Sequence, residues 1–222
     1  MALDTARLRE EISKVYSEVA RDPKKGYHFH TGPAYATERL GYSREALAEL
    51  PDAVTAAFAG VGNPLAAGAP RPGDTVVDIG AGSGMDAFLA AAAVGPTGKV
   101  IAVDMTDVML ERGRDNVALT RLRQIEYRKG WAEALPVSDA SVDLVISNDV
   151  INLSPTRTGS SANASACSSR AGASKWPTSS CTRTFCRLHA RTSRSGPPES
   201  EALSWRESTS KRSGRRGSQT WR

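Results

Sequence analysis

An aspartate and three alternating glycines stand together at Asp78-Ile79-Gly80-Ala81-Gly82-Ser83-Gly84, and a second aspartate, Asp104, follows 24 positions after Gly80. Glycines let backbone approach a ligand closely and adopt angles that other residues avoid. A carboxylate at that distance, on the end of the next strand, can accept both ribose hydroxyls of a nucleoside. A dinucleotide loop needs its third glycine at position 85, where this chain has Met85. Glycines at 80, 82 and 84 with an acid at 78 fit a different ligand: a nucleoside bearing a cationic amino acid moiety, whose ammonium Asp78 or the loop carbonyls can neutralise. The plainer reading is a glycine turn with a solvated acid at 104. Asp86 is explained equally by favourable charge at a helix N-terminus and by ligand contact.

The elements needed to position these groups are legible around them. Thr75–Ile79 reads as a buried strand, Met85–Val94 as an Ala-rich helix, and Lys99–Asp104 as a second strand. A helix from about Thr106 to Leu119, a strand over Ile125–Arg128 and a strand over Val142–Ser147 complete a parallel α/β pattern. Upstream, Leu8, Ile12, Val15, Tyr16 and Val19 recur at helical spacing over residues 3–20. Short helices are expected from Ser43 towards Leu50 and over 52–59, the first capped by the Ser43 hydroxyl. Between them Tyr27-His28-Phe29-His30 reads as an extended segment. Its two histidines could share a face, but two ligands do not make a metal site, so no metal is expected.

Charge divides the 222 residues in two. Residues 1–157 hold 17 Lys+Arg against 21 Asp+Glu, and residues 158–222 hold 12 against 3. That last segment has 16 Ser and 10 Arg and no Val, Ile, Asp, Tyr or Met, so on composition it is disordered. No run is long and apolar enough for a membrane span, and the N-terminus lacks the apolar stretch of a signal peptide, which makes the cytoplasm the expected location.

Val76–Leu89 (VVDIGAGSGMDAFL), Val103–Leu110 (VDMTDVML), Gly130–Pro136 (GWAEALP) and Ser147–Pro155 (SNDVINLSP) resemble class I S-adenosylmethionine-dependent methyltransferases, and within them the arsenite methyltransferase family. The resemblance covers about 27–157. It implies a Rossmann-like three-layer α/β sandwich with S-adenosylmethionine as cofactor. Here that sandwich is truncated after strand four of the family order 3-2-1-4-5-7-6. The expected organisation is a helical N-terminal cap region (1–64), an incomplete methyltransferase core (65–157) and a Ser/Arg-rich tail (158–222). Carried over by motif, Asp78, Gly80, Ala81, Gly82 and Gly84 would hold the methionine end, with Asp86 beside them. Asp104 would hold the ribose and Met105 would sit beside the adenine, lined also by Trp131, Ala132 and Glu133. Position 131 is commonly an acid in the family, so Trp131 would stack where an acid would accept a hydrogen bond. Asn148 would lie near the sulfonium. Tyr27 and His30 are candidate covers of the site, and Asp149 a candidate acceptor contact.

The implied partner is a small-molecule methyl acceptor, with trivalent arsenic the family's own. Arsenic(III) is soft and wants thiolates, yet family members commonly carry cysteine where Asp149 stands, and residues 1–157 contain no cysteine at all. A relative methylating a carbon, oxygen or nitrogen acceptor is the alternative. No catalytic base can be named. A degenerate α/β module with a basic RNA-binding tail is the non-enzyme alternative, although nucleic acid is not the expected partner.

The tail also reads as a frameshift. Codons for Cys, Trp, Phe and most Ser begin with T; shifted by one base, they encode Phe, Leu, Ile, Met or Val. Synonymous codons for residues 162–181 (ANASACSSRAGASKWPTSSC) permit ECFRVLKPGGRFQVADIVL in the shifted frame. That string supplies the helix, turn and fifth strand which the family places after strand four. Without them, strand four is expected to be an open hydrophobic edge.

Overall fold

The computed structural model of the chain describes residues 4–154 and 184–187. They all fall in one compact unit, Met1–Ala190; a second unit, Arg191–Arg222, and the rest of the tail lie outside the described residues.

Alternation of buried residues builds the sheet. In β1 (Thr75–Ile79), Val76 faces one side while Val77 and Ile79 face the other. β2 (Lys99–Asp104) pairs parallel with β1, and β3 (Ile125–Lys129) pairs parallel with β2. β4 (Leu144–Ser147) pairs parallel with β1 on its opposite edge, giving the order β3-β2-β1-β4 for the parallel strands. Helices α5 (Met85–Val94) and α6 (Asp107–Ala118) make the two crossovers that run outward from β1. Right-handed crossovers in one direction put both helices on one face. There Ala87, Ala90 and Ala91 are small enough to bring α5 close to the sheet, and Phe88 fills the space between. Ala132, Leu135 and Val142 of the β3–β4 connection cover the opposite face, against Val77, Ile101, Val103 and Val145. Strand order reverses between β1 and β4, and the crevice at the carboxyl ends of such strands is where ligands enter open α/β sheets.

The N-terminal helices pack against this end. α1 (Thr5–Arg21) is capped by Asp4, whose carboxylate accepts from the Arg7 backbone N–H at 3.1 Å. α3 (Arg44–Ala48) starts at Ser43 as expected, and α4 is the single turn Asp52–Thr55. One helix was not expected: α2 (Gly32–Leu40) carries Pro33 in its first turn and ends at Gly41 with φ +73°. Those residues read as loop when met without the helix they bound.

The expected open edge of β4 is a correction. Thr184–Arg187 forms β5 and pairs antiparallel along β4, Val145 opposite Cys186. An edge of unpaired N–H and C=O groups accepts any extended segment within reach, and Thr-Phe-Cys favours extended backbone. The expectation of disorder fails for these four residues; for the others of 158–222 it lies outside the described residues.

Candidate functional site

β1 ends in a loop whose backbone is fastened to β2. The N–H groups of Gly80 and Ala81 donate to the Val103 carbonyl at 2.7 and 3.0 Å. Gly82, at φ +56°, donates its N–H to Asp104 Oδ2 at 2.9 Å, and Asp104 Oδ1 accepts from the Thr106 N–H at 2.8 Å. The Asp104 carboxylate therefore joins the glycine loop to the start of α6 and keeps lone pairs for a further donor. Gly80 sits at φ +75° directly against Val150, where a β-carbon would collide. Beside Gly82, by contrast, a β-carbon would meet only Met109 Sδ at 3.8 Å.

Three carboxylates converge here. Asp78 is 2% exposed, and its Oδ2 has no hydrogen-bond partner among the described residues. Burial, followed by the nearby Asp86 and Asp104 carboxylates, holds its pKa well above the ordinary aspartate value. Asp86 is pushed up to about 6 by burial, against hydrogen bonds from Tyr42 and Asn148 that stabilise its charge. Asp104 is also raised, by burial, with the Thr106 and Gly82 N–H bonds opposing. A cluster of this sign repels phosphate and attracts a cation.

Asp86 anchors a network. Tyr42 donates its hydroxyl to Asp86 Oδ1 at 2.6 Å, and Asn148 donates Nδ2 to Asp86 Oδ2 at 3.0 Å and to the Gly62 carbonyl at 2.8 Å. Asn148 Oδ1 accepts from the N–H groups of Val61 and Gly62 at 3.0 and 3.1 Å. Asn148 thus pins the 60–62 loop to the end of β4, with its amide satisfied inside the protein.

A cleft opens at this end of the sheet. Asp78, Gly80, Ala81, Gly82, Gly84 and Asp86 form one wall, and Asp104 and Met105 the next. Trp131, Ala132 and Glu133 follow β3, and Asn148 follows β4. Tyr27, His30 and Asp149 are not among the described residues that line it. Tyr27 donates to the Asp22 carbonyl at 2.9 Å and stacks on Phe29, and His30 packs on Tyr35 with ring centroids 4.9 Å apart. Asp149 has a backbone φ of +66°, and its carboxylate is near enough to the cleft to act on the Tyr16 phenol. Cover comes instead from α1, through Arg9, Ile12 and Tyr16. The apolar stripe contained Ile12 and Tyr16, but periodicity cannot say which cavity a stripe faces. Burial, with Asp149 and Asp104 adding, pushes the Tyr16 phenol up to about 12. Among the described residues no group of three His, Cys, Asp or Glu could hold a metal, and no helix is long and apolar enough to cross a membrane.

Residues 70–165 match the methyltransferase domain family. An arsenite methyltransferase of Halobacterium salinarum is 48% identical over 124 residues, 56% of this chain and 32% of that protein. One from Aquipseudomonas alcaligenes is 33% identical over 129 residues, 55% of this chain and 37% of that one. The chain thus spans about a third of the length of the curated relatives it matches. Among solved structures, the arsenic(III) S-adenosylmethionine methyltransferase of Chlamydomonas reinhardtii superposes with TM-score 0.53 at 39% identity, covering 58% of this chain and 46% of that one. S-adenosylmethionine, a nucleoside with a sulfonium and an ammonium, suits the donor set: a ribose-ready carboxylate at 104 and an unpartnered buried acid at 78. By that match and these relatives, residues 70–165 are similar to methyltransferase domains, and the chain resembles the arsenite methyltransferases over that stretch.

Proposed function

We propose that the cleft binds S-adenosylmethionine for methyl transfer, with the methionine end at Asp78 and the glycine loop, the ribose at Asp104 and the adenine between Met105 and Trp131–Glu133. The observation that carries this is the convergence of three carboxylates on a glycine loop, one with an unpartnered oxygen. A pyrophosphate would be expelled from it and an amino acid side arm of net positive charge, with its ammonium and sulfonium, held. When bound, the cofactor supplies a methyl group already activated on sulfur. The chain's own task is then to orient an acceptor on the S–CH₃ axis and exclude water. α1 and the 60–62 loop, fixed by Asn148, exclude water, and no side chain is assigned as a base.

The acceptor belongs to a second tier of the proposal. Lineage points to trivalent arsenic, but a thiolate trap is missing: residues 1–157 have no cysteine, and Asp149 stands where the family commonly has one. This favours a carbon, oxygen or nitrogen acceptor for the body as it stands, or a compromised arsenite enzyme whose acceptor half has been lost with the frame. Radiolabelled methyl transfer by the full chain tests both tiers, with arsenite plus thiol in one arm and small phenols, amines and activated carbon acids in the other. Arsenite should remain unmethylated. Methylated arsenic from this chain would contradict the thiolate argument, and S-adenosylmethionine that neither binds nor reacts would remove the first tier.

A further inference from the structure

α1 is buried most deeply at its C-terminal end. Its buried residues are Val19 and Ala20, packed with Ala57 and Met109, and Arg112 donates to the Ala20 carbonyl. Towards its N-terminus the helix lies half-exposed across the mouth of the cleft, and one contact set fastens it there. The Arg9 guanidinium lies 5.4 Å from the Trp131 ring centroid, and its Nη2 is 3.5 Å from Glu133 Oε2. Glu133 is itself braced, its Oε1 accepting from Ser154 Oγ at 2.5 Å. One carboxylate therefore gathers three segments: the cover helix, the β3–β4 connection and the turn after β4. All four residues line the cleft.

We propose that α1 is a hinged cover over the nucleoside end of the cleft and that Arg9 is the positioning residue that latches it, by bridging Trp131 and Glu133. The inference rests on the cofactor reading above. Arginine suits the role because its planar head can stack on an indole and pair with a carboxylate at once, which an ammonium cannot do. Trp131 then has a use that the acid common at this position would not serve: it turns the rim of the cleft into a platform for the cover.

The test is the dissociation rate of S-adenosylhomocysteine from the full chain, followed by stopped flow, together with amide hydrogen exchange of α1 without ligand. Arg9→Ala should speed release by roughly 5- to 30-fold, the combined effect of one half-exposed ion pair and one cation–π contact. It should also speed α1 exchange without ligand and leave the exchange of β1 and β2 unmoved. Arg9→Lys should fall between, keeping charge without the stack. Glu133→Arg should restore slow release to an Arg9→Glu chain, which a merely structural role for Arg9 would not allow. Wild-type release should quicken with salt and the Arg9→Ala rate should not. Unchanged release and unchanged α1 exchange in Arg9→Ala would overturn the latch. Wild-type chain that binds no S-adenosylhomocysteine, with α1 exchange still dependent on Arg9, would instead overturn the cofactor reading and leave the latch standing.

Discussion

Asp78 is a buried acid with an oxygen left over, and a group of that kind costs stability until something positive meets it. Asp78→Asn should therefore raise the Tm of the ligand-free chain, by about 2–4 °C for each kcal/mol relieved in a domain of this size, while weakening S-adenosylmethionine binding by roughly tenfold or more. Calorimetry and thermal melts on the same samples check both; a loss of both would mark Asp78 as purely structural. Asp86 gives a pH signature. Its folded pKa of about 6 lies above the ordinary aspartate value of 3.8, so its protonated form favours the fold. That contribution is complete below about pH 3.8 and is lost as pH rises through 6. The difference in Tm between the wild type and Asp86→Asn should change between about pH 4 and 6 and level off above. Glu126, lowered to about 2 by Arg128 and Lys99, acts in the opposite sense below about pH 4.5, but both proteins carry it and it cancels in the difference. The two loop glycines should also separate. Gly80→Ala drives a methyl into Val150 and should cost both fold and binding, whereas Gly82→Ala meets only Met109 Sδ at ordinary contact distance and carries the strain of φ +56° alone, so it should destabilise less. Melting curves set beside Kd values check the pair. At this scale the glycine loop and Asp104 were readable because their chemistry is local in sequence. The Tyr42–Asp86–Asn148 network was not, since its members lie 44 and 62 positions apart and each has an ordinary local explanation.

Among the elements, the four parallel strands and the two crossover helices were legible because buried parallel strands read as near-continuous apolar runs broken by glycine. α2 was missed because its boundaries are turn residues and its length is nine. The face that α1 turns to the cleft was not legible: an amphipathic stripe states that a helix packs, and tertiary contacts decide where. β5 is the other surprise, a pairing set by backbone and not by any pattern the tail advertises. Because proline cannot donate to a ladder, replacing Phe185 and Cys186 together by proline should remove the pairing of β5 with β4 whichever residue donates inward. The variant should self-associate in sedimentation velocity while keeping its cofactor affinity. Monomeric behaviour equal to that of the wild type would show that β4 needs no cover.

For the whole molecule, an acidic body meets a basic tail, and the methyltransferase match runs over residues 70–165. We propose that the tail is the family's continuation read one base out of register. Resequencing the locus should find an insertion or deletion beside codon 157, and an intact frame there would end that explanation. The described residues that line the cleft all lie between Arg9 and Ser154, before the proposed shift. Calorimetric titration of the full chain with S-adenosylmethionine, and separately with a pyrophosphate-bearing dinucleotide, therefore addresses the central claim most directly. Saturable one-to-one binding of the first and none of the second is the predicted result; dinucleotide binding without S-adenosylmethionine binding would contradict it.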